Sequence, residues 1–146
     1  MPLLCLAVDP ITRFEGEFTF FSNKFDHTMP FAITVGALVV SAKNSEALFQ
    51  CQKVPSLAST RVDLGFWAAK RPGAQGKMDK GTPRRWQSGE RFHAVMRAIR
   101  AKFALTSTTG VLALKLLATG TAKLIFVNDH NYTYWGVNKH RKCETN

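Results

Sequence analysis

From Gly16 to Phe21 apolar and polar residues alternate in a segment rich in aromatic and β-branched types, and Phe31 to Val40 is an Ile-, Val- and Leu-rich run with a central Gly36. Both read as strands, which together form a hairpin-like sheet. The period then changes. Asn44 and Ser45 offer an N-cap, and Ala47, Leu48, Cys51 and Val54 recur at helical spacing until Pro55 stops the run, which predicts a short amphipathic helix. Leu64, Trp67 and Ala68 predict another short helix ending near Pro72 and Gly73. Between Gly73 and Arg85, the residues Gly73, Gly76, Gly81 and Pro83 resist regular structure while Lys77, Lys80, Arg84 and Arg85 keep donors in water, so a mobile basic loop is expected.

The clearest helical pattern starts near Ser88. Phe92, Val95, Met96, Ile99 and Phe103 mark one apolar stripe, and Arg91, Arg97, Arg100 and Lys102 occupy the remaining faces. A further helix is predicted over 111–118 with its stop at Gly120, then a buried strand over 122–127, a turn over 128–131 and an aromatic strand or loop over 132–137. This order of elements is α+β, without internal repeats or low-complexity segments.

A chain of 146 residues with 45% apolar content is sized for one domain, spanning 1–146, with a real core. Its formal charge is +10, from 20 Lys and Arg against 10 Asp and Glu, which favours an acidic partner such as a nucleotide or nucleic acid. Ten of the basic residues fall between Lys70 and Lys102. They make either solvated helix faces or a phosphate-contacting surface. Cys5, Cys51 and Cys143 are odd in number, far apart and without a CxxC pair, which argues against a disulfide framework or a zinc site. The opening MPLLCLAV lacks a basic leader and meets Asp9 and Pro10 at once, so neither a signal peptide nor a membrane span is expected. A reducing, cytoplasmic setting follows from these two readings.

No Ser/His/Asp ordering, Walker loop, GxGxxG or metal-ligand spacing is present, and no cofactor is expected. His27, His93, His130 and His140 are too scattered for ligands, and His93, beside the apolar stripe, reads as an interior or boundary histidine. One carboxylate stands out by position. Glu46 falls in the first turn of a helix, where free backbone N–H groups favour an acid, so it reads either as a capping acid or as a catalytic one. Around it in composition are aromatics (Phe20, Phe21, Trp86, Tyr134, Trp135) on which flat rings stack, and the amides Asn23, Gln50 and Asn128. Every one of those aromatics also suits a core.

Five segments carry a resemblance: ITRFEGEFTFFSN (11–23), NSEALFQCQKV (44–54), WAAKRPG (67–73), RRWQSGERFHAVMRAIRAKF (84–103), and LLATGTAKLIFVN followed by YWGV (116–137). In order and spacing they resemble the NADAR or YbiA-like N-glycosidase family across nearly the whole chain. The resemblance implies a largely helical, YbiA-like α+β domain with a small β-sheet that cleaves an N-glycosidic bond to ribose. The implied ligand is of ADP-ribosyl type, such as ADP-ribosylated guanine, or another phosphorylated ribosyl compound, with nucleic acid carrying the modification as a further partner and no membrane. Glu46, matching the acid of the family's S/T-E-H-x-x-Q-A-x-K segment, would be the catalytic carboxylate. Gln50 and Lys53 match later positions of that helix. Phe21, Ser22 and Asn23 match the family's F/L-S-N turn near the ligand. Trp86 and Trp135 match its two tryptophans as stacking or pocket-wall groups, and Asn128 and Tyr132 fall among the implied binding residues. A fixed carboxylate suits this chemistry, because departure of the base leaves an oxocarbenium-like sugar whose charge it stabilises while orienting water.

The chain also departs from the pattern. Ala47 stands where the family usually has His, Phe126 where many members carry Glu, Tyr132 where an Asp is common, and Ala74 where Gly-Arg is usual; Asn146 comes near the point where relatives continue with an Asn-x-Leu-Gly segment and a final helix. Tyr132 donates a hydrogen bond but is a poor base at neutral pH, and Asp129 is a possible substitute. Three functions therefore compete: an N-glycosidase, a catalytically silenced binder of NAD, ADP-ribose or modified nucleic acid, and a nucleic-acid-binding module whose affinity falls steeply with salt.

Overall fold

The computed structural model describes residues 9–70, 75–106, 109–125, 127–128 and 137–138. Its architecture is α+β. Among the described residues there are five α-helices and a two-stranded antiparallel hairpin, and a second pair of very short strands lies near the C-terminus. The strands predicted over 16–21 and 31–40 do not pair with each other. The hairpin lies within the second segment and just beyond it, as β1 (Phe31–Val35) and β2 (Leu38–Ala42), in register from Phe31 opposite Ala42 to Val35 opposite Leu38. Gly36 turns the chain at φ 61°, a left-handed conformation that glycine adopts without a Cβ clash. Period-two burial follows, with Phe31, Ile33 and Val35 inward and Ala32 and Thr34 outward.

Gly16–Phe21 is a 3-10 helix, not a strand. Thr19 Oγ1 bonds back to the Gly16 carbonyl at 2.7 Å, and residues three apart eclipse in this geometry. Phe18 and Phe21 are thereby stacked at 6.3 Å between centroids, and Phe14, Phe20 and Phe103 join them in one aromatic cluster. Clustering, rather than alternation, explains the aromatic content of this segment.

Helix α1 (Ser45–Cys51) begins as expected. Asn44 has extended backbone, and its Oδ1 accepts from the Ala47 N–H at 2.8 Å while its Nδ2 donates to Asp26 at 2.7 Å. Helix α2 (Ala58–Lys70) crosses α1 at close range, because a Cβ placed on Gly65 would lie 2.8 Å from the Ala47 Cα. The core collects Phe31, Ile33, Val35, Val40, Leu48, Cys51, Ala58 and Ala98 between the hairpin and these helices. Burial pushes the free Cys51 thiol up to about 12, so it is inert; Cys5 and Cys143 lie outside the described residues.

The stretch expected to be a basic loop contains α3 (Gln75–Asp79) and a 3-10 segment, Arg84–Ser88. Arg61, buried on α2, orders it by donating to the Met78 carbonyl at 2.6 Å and to the Lys80 carbonyl, which satisfies orphan acceptors at the end of α3. Met78 is fully buried and anchors the same turn. Helix α4 (Glu90–Lys102) turns a different face inward from the one expected. Ala94, Ala98 and Lys102 are buried, Phe92 is 50% exposed and His93 is exposed. Small alanines allow close approach, and Gln52 Nε2 reaches across to the Ala94 carbonyl at 2.9 Å.

Helix α5 (Gly110–Leu117) precedes Gly120 at φ 58°. The expected buried strand over 122–127 is reduced to one parallel bridge between Ile11 and Leu124, and to β3 (Val127–Asn128) beside β4 (Val137–Asn138). Lys123 and Leu124 are exposed, which removes the burial that expectation required. The turn and aromatic stretch of 129–136 lie outside the described residues. Among the described residues no helix is long and apolar enough to cross a membrane, and no His, Cys, Asp and Glu group is placed to hold a metal ion.

Candidate functional site

Glu46, Phe49, Gln50 and Lys53 fall at i, i+3, i+4 and i+7, so a helix from Ser45 to Cys51 and its following turn present them on one side. Ala47, Leu48 and Cys51 take the opposite side and are fully buried. The sequence pattern therefore divides α1 into a core face and a polar face that carries the candidate carboxylate.

Glu46 is half-buried and held from two directions. Gln50 Nε2 donates to its Oε1 at 2.6 Å, and Gln50 is itself buried. The Glu46 backbone N–H donates to the Asn23 carbonyl at 2.9 Å, while Ser45 Oγ donates to Asn23 Oδ1 at 2.8 Å. Asn23 thus clamps the first turn of α1 from outside the helix, using donors that have no intrahelical partner.

Further along the same face, Phe49 packs on Trp86 with ring centroids 5.4 Å apart, and Trp86 is only 5% exposed. Lys53 is 4% exposed, and its ammonium pairs with Asp79 at the end of α3, whose side chain is 55% exposed. That ammonium also lies 5.9 Å from the Phe49 ring centroid. Asp79 is the one acid between Lys70 and Gly89, a signal the sequence offered for a specific partner within the basic stretch.

Comparison with family models, with curated protein sequences and with solved structures finds no match.

The structure therefore brings Asn23, Glu46, Gln50, Lys53 and Trp86 to one strip along α1, with Ser45, Phe49 and Asp79 as members not anticipated from the sequence. Phe21 is elsewhere, within the phenylalanine cluster. Ser22 lies in the turn before the strip, its Oγ accepting from the Lys24 N–H at 3.3 Å and its carbonyl from Lys102 Nζ at 3.0 Å. Asn128 lies on β3, and Tyr132, Trp135, Phe126 and Asp129 lie outside the described residues. A hollow of about 900 Å³ opens between residues 9–20 and the end of α5, lined by Arg13, Phe18, Phe20 and Lys115 among others, and no residue of the α1 strip lines it. The carboxylates of Asp9 and Glu17 also line that hollow, but among the described contacts neither is held by a buried partner as Glu46 is by Gln50.

Two buried titratable groups lie behind the Ser22–Asn23 turn. Burial, aided by the positive Lys102 and Lys115, holds His27 down to about 4 despite the opposing Asp26. Burial alone brings the Lys102 amine down to about 7. The helical pattern puts Lys102 outside the apolar stripe, yet it is fully buried; nothing local to its helix marks this, because its partner is 80 residues away. On the strip itself, a carboxylate fixed by an amide and open on one side is able to stabilise a developing cation and to orient a water molecule.

Proposed function

We propose that the chain is an N-glycosidase that hydrolyses the bond between a ribose and its base in an ADP-ribosyl-type substrate, such as ADP-ribosylated guanine free or in nucleic acid, or in a related phosphorylated ribosyl compound. The observation that carries this reading is the half-buried Glu46 carboxylate, gripped by Gln50 at 2.6 Å and seated by Asn23 at the start of α1. As the base leaves, positive charge develops at the sugar carbon, and a preorganised carboxylate meets it without reorganisation. Trp86 with Phe49 would supply a flat wall for a ring, and Lys53, now paired with Asp79, would supply a cation to a phosphate that displaces that pair.

Replacing Glu46→Gln keeps the size and the bond to Gln50 while removing the charge. Base release from an ADP-ribosylated guanine oligonucleotide, followed by chromatography, is expected to fall at least about a hundredfold, the scale on which single electrostatic groups act. Unchanged turnover would remove Glu46 from the mechanism.

A second reading is favoured by one observation: the group that grips Glu46 is the Gln50 amide, which exchanges no proton, so the first turn of the strip carries a single acid–base group. A relative lacking the second proton-transfer group would bind NAD, ADP-ribose or modified nucleic acid without cleaving it. Calorimetric titration with ADP-ribose separates the two, since the binder shows heat of association with no product after long incubation.

A further inference from the structure

Lys102 ends α4 with its side chain wholly removed from solvent. Its ammonium donates to the Ser22 carbonyl at 3.0 Å and lies 5.2 Å from the Phe103 ring centroid. Among the described residues no carboxylate pairs with it. For stability this is a poor arrangement. Taking an ammonium out of water costs several kcal/mol, and a single hydrogen bond to a neutral carbonyl returns only about 1.5–3 kcal/mol. A methionine would fill similar space without the penalty.

What the amine does supply is orientation. The Ser22 carbonyl belongs to the planar peptide that leads into Asn23, so fixing it limits the rotation of the Ser22–Asn23 link. The next carbonyl, that of Asn23, accepts the Glu46 N–H at 2.9 Å, and the Asn23 side chain accepts from Ser45 at 2.8 Å. A short covalent and hydrogen-bonded path thus runs from the end of α4 to the first turn of α1. We infer that Lys102 is a positioning residue that, through Ser22 and Asn23, holds the Glu46 carboxylate in its working place. The inference rests on the reading of Glu46 as the reactive carboxylate.

The lowered affinity of Lys102 for its proton makes this path sensitive to pH, since the charge-assisted bond to Ser22 weakens when the proton leaves. The other titratable groups grouped here are His27 and Asp26 on the loop before β1, and Lys115 on α5. His27 stays neutral above its value of about 4, and Asp26 is held by Asn44 at 2.7 Å. Among these groups Lys102 is the one that burial brings near neutrality.

The test compares wild type, Lys102→Met and Lys102→Arg on an ADP-ribosylated guanine oligonucleotide, with amide hydrogen exchange measured on the same proteins. In Lys102→Met, kcat is expected to fall at least about tenfold while KM moves less than about threefold, because geometry at the reacting atoms is lost and ligand contacts are not. Wild type is expected to lose activity above about pH 7, and that limb to vanish in both variants. Lys102→Arg, permanently charged, is expected to recover part of kcat. The Glu46 amide is expected to exchange at least about tenfold faster in Lys102→Met, with Val40 and Ala98 unchanged. A kcat within about twofold of wild type, or an equally protected Glu46 amide, overturns the inference. If Lys102→Met fails to fold, Lys102→Arg is read alone, and retention of the alkaline limb in it overturns the inference. If wild type releases no base while Glu46 exchange responds to Lys102, the glycosidase reading fails and the positioning role stands.

Discussion

The folded chain is expected to gain stability from about pH 7 to about pH 8.5, and Lys102→Met to abolish that gain. In the unfolded chain the Lys102 amine titrates at its ordinary 10.5, in the fold at about 7. Between those values the unfolded chain binds the extra proton, so raising the pH favours the fold. The penalty is largest below the folded value and disappears above the unfolded one. The full displacement corresponds to about 5 kcal/mol, of which about 1.5 kcal/mol is recovered between about pH 7 and about pH 8.5. The two other displaced groups among the described residues contribute little in this window. His27, ordinarily at 6.5 and here at about 4, is neutral in the fold and mostly neutral in the unfolded chain, adding only about 0.2 kcal/mol, and Cys51, raised to about 12 from 9.0, weakens the fold only as the pH nears the latter value. Urea unfolding followed by far-ultraviolet circular dichroism at the two pH values reads the difference directly, as a rise in midpoint of about 1 M for a domain of this size. Lys102→Met is expected to show equal midpoints, with its midpoint at pH 7 no lower than that of wild type, since the removed penalty exceeds the lost hydrogen bond. A flat wild-type response, or the same rise in the variant, would refute the reasoning.

Two further outcomes follow from buried polar groups. Because His27 binds its proton less readily in the fold, stability is expected to fall as the pH drops from 6.5 towards 4. The loss is up to about 3 kcal/mol, and His27→Leu is expected to remove that step from an acid titration followed by circular dichroism. An unchanged acid transition in the variant counts against it. Asp79→Ala leaves the 4%-exposed Lys53 without its carboxylate. It is expected to lower stability by about 1–3 kcal/mol in urea while tightening ADP-ribose binding in calorimetry. Weaker binding would remove Lys53 from the anion-binding role.

Local signals were readable, and long-range ones were not. Gly36 between two apolar runs and Asn44 before a helical period each act within a few residues, and both produced the element they marked. Gly16–Phe21 misled because its alternation spans only six residues, too few to separate a strand from a 3-10 turn whose phenylalanines cluster. The basic stretch after Gly73 was ordered by Arg61, up to 19 residues away, through carbonyls that no side-chain pattern reveals. In α4 the larger residues Phe92 and Phe103 outweighed Ala94 and Ala98 in the pattern, although close approach to α1 required the alanines inside. For the site, the resemblance named Asn23, Glu46, Gln50 and Lys53, while Phe49 joins them only through the helix geometry, and Lys102 entered through a backbone carbonyl, which residue identity does not encode.

Ala47 decides how the departure from the resembled segment should be weighed. That segment carries histidine at this position, and its loss looks like loss of a catalytic group. In the fold, however, position 47 belongs to the core side of α1: Ala47 is fully buried, and Gly65 of α2 lies so near that an added Cβ would sit 2.8 Å from the Ala47 Cα and 3.0 Å from its carbonyl oxygen. Backbone atoms at such distances yield only if one helix moves. Restoring the imidazole by Ala47→His is therefore expected to wedge α2 away and to lower stability by at least about 2 kcal/mol, as overpacking does. It is not expected to add a proton donor beside Glu46. Thermal unfolding and base release measured on the same variant decide the matter. A protein that melts with wild type and turns over faster would mean that position 47 faces the ligand, and the division of α1 into a core face and a working face would be wrong.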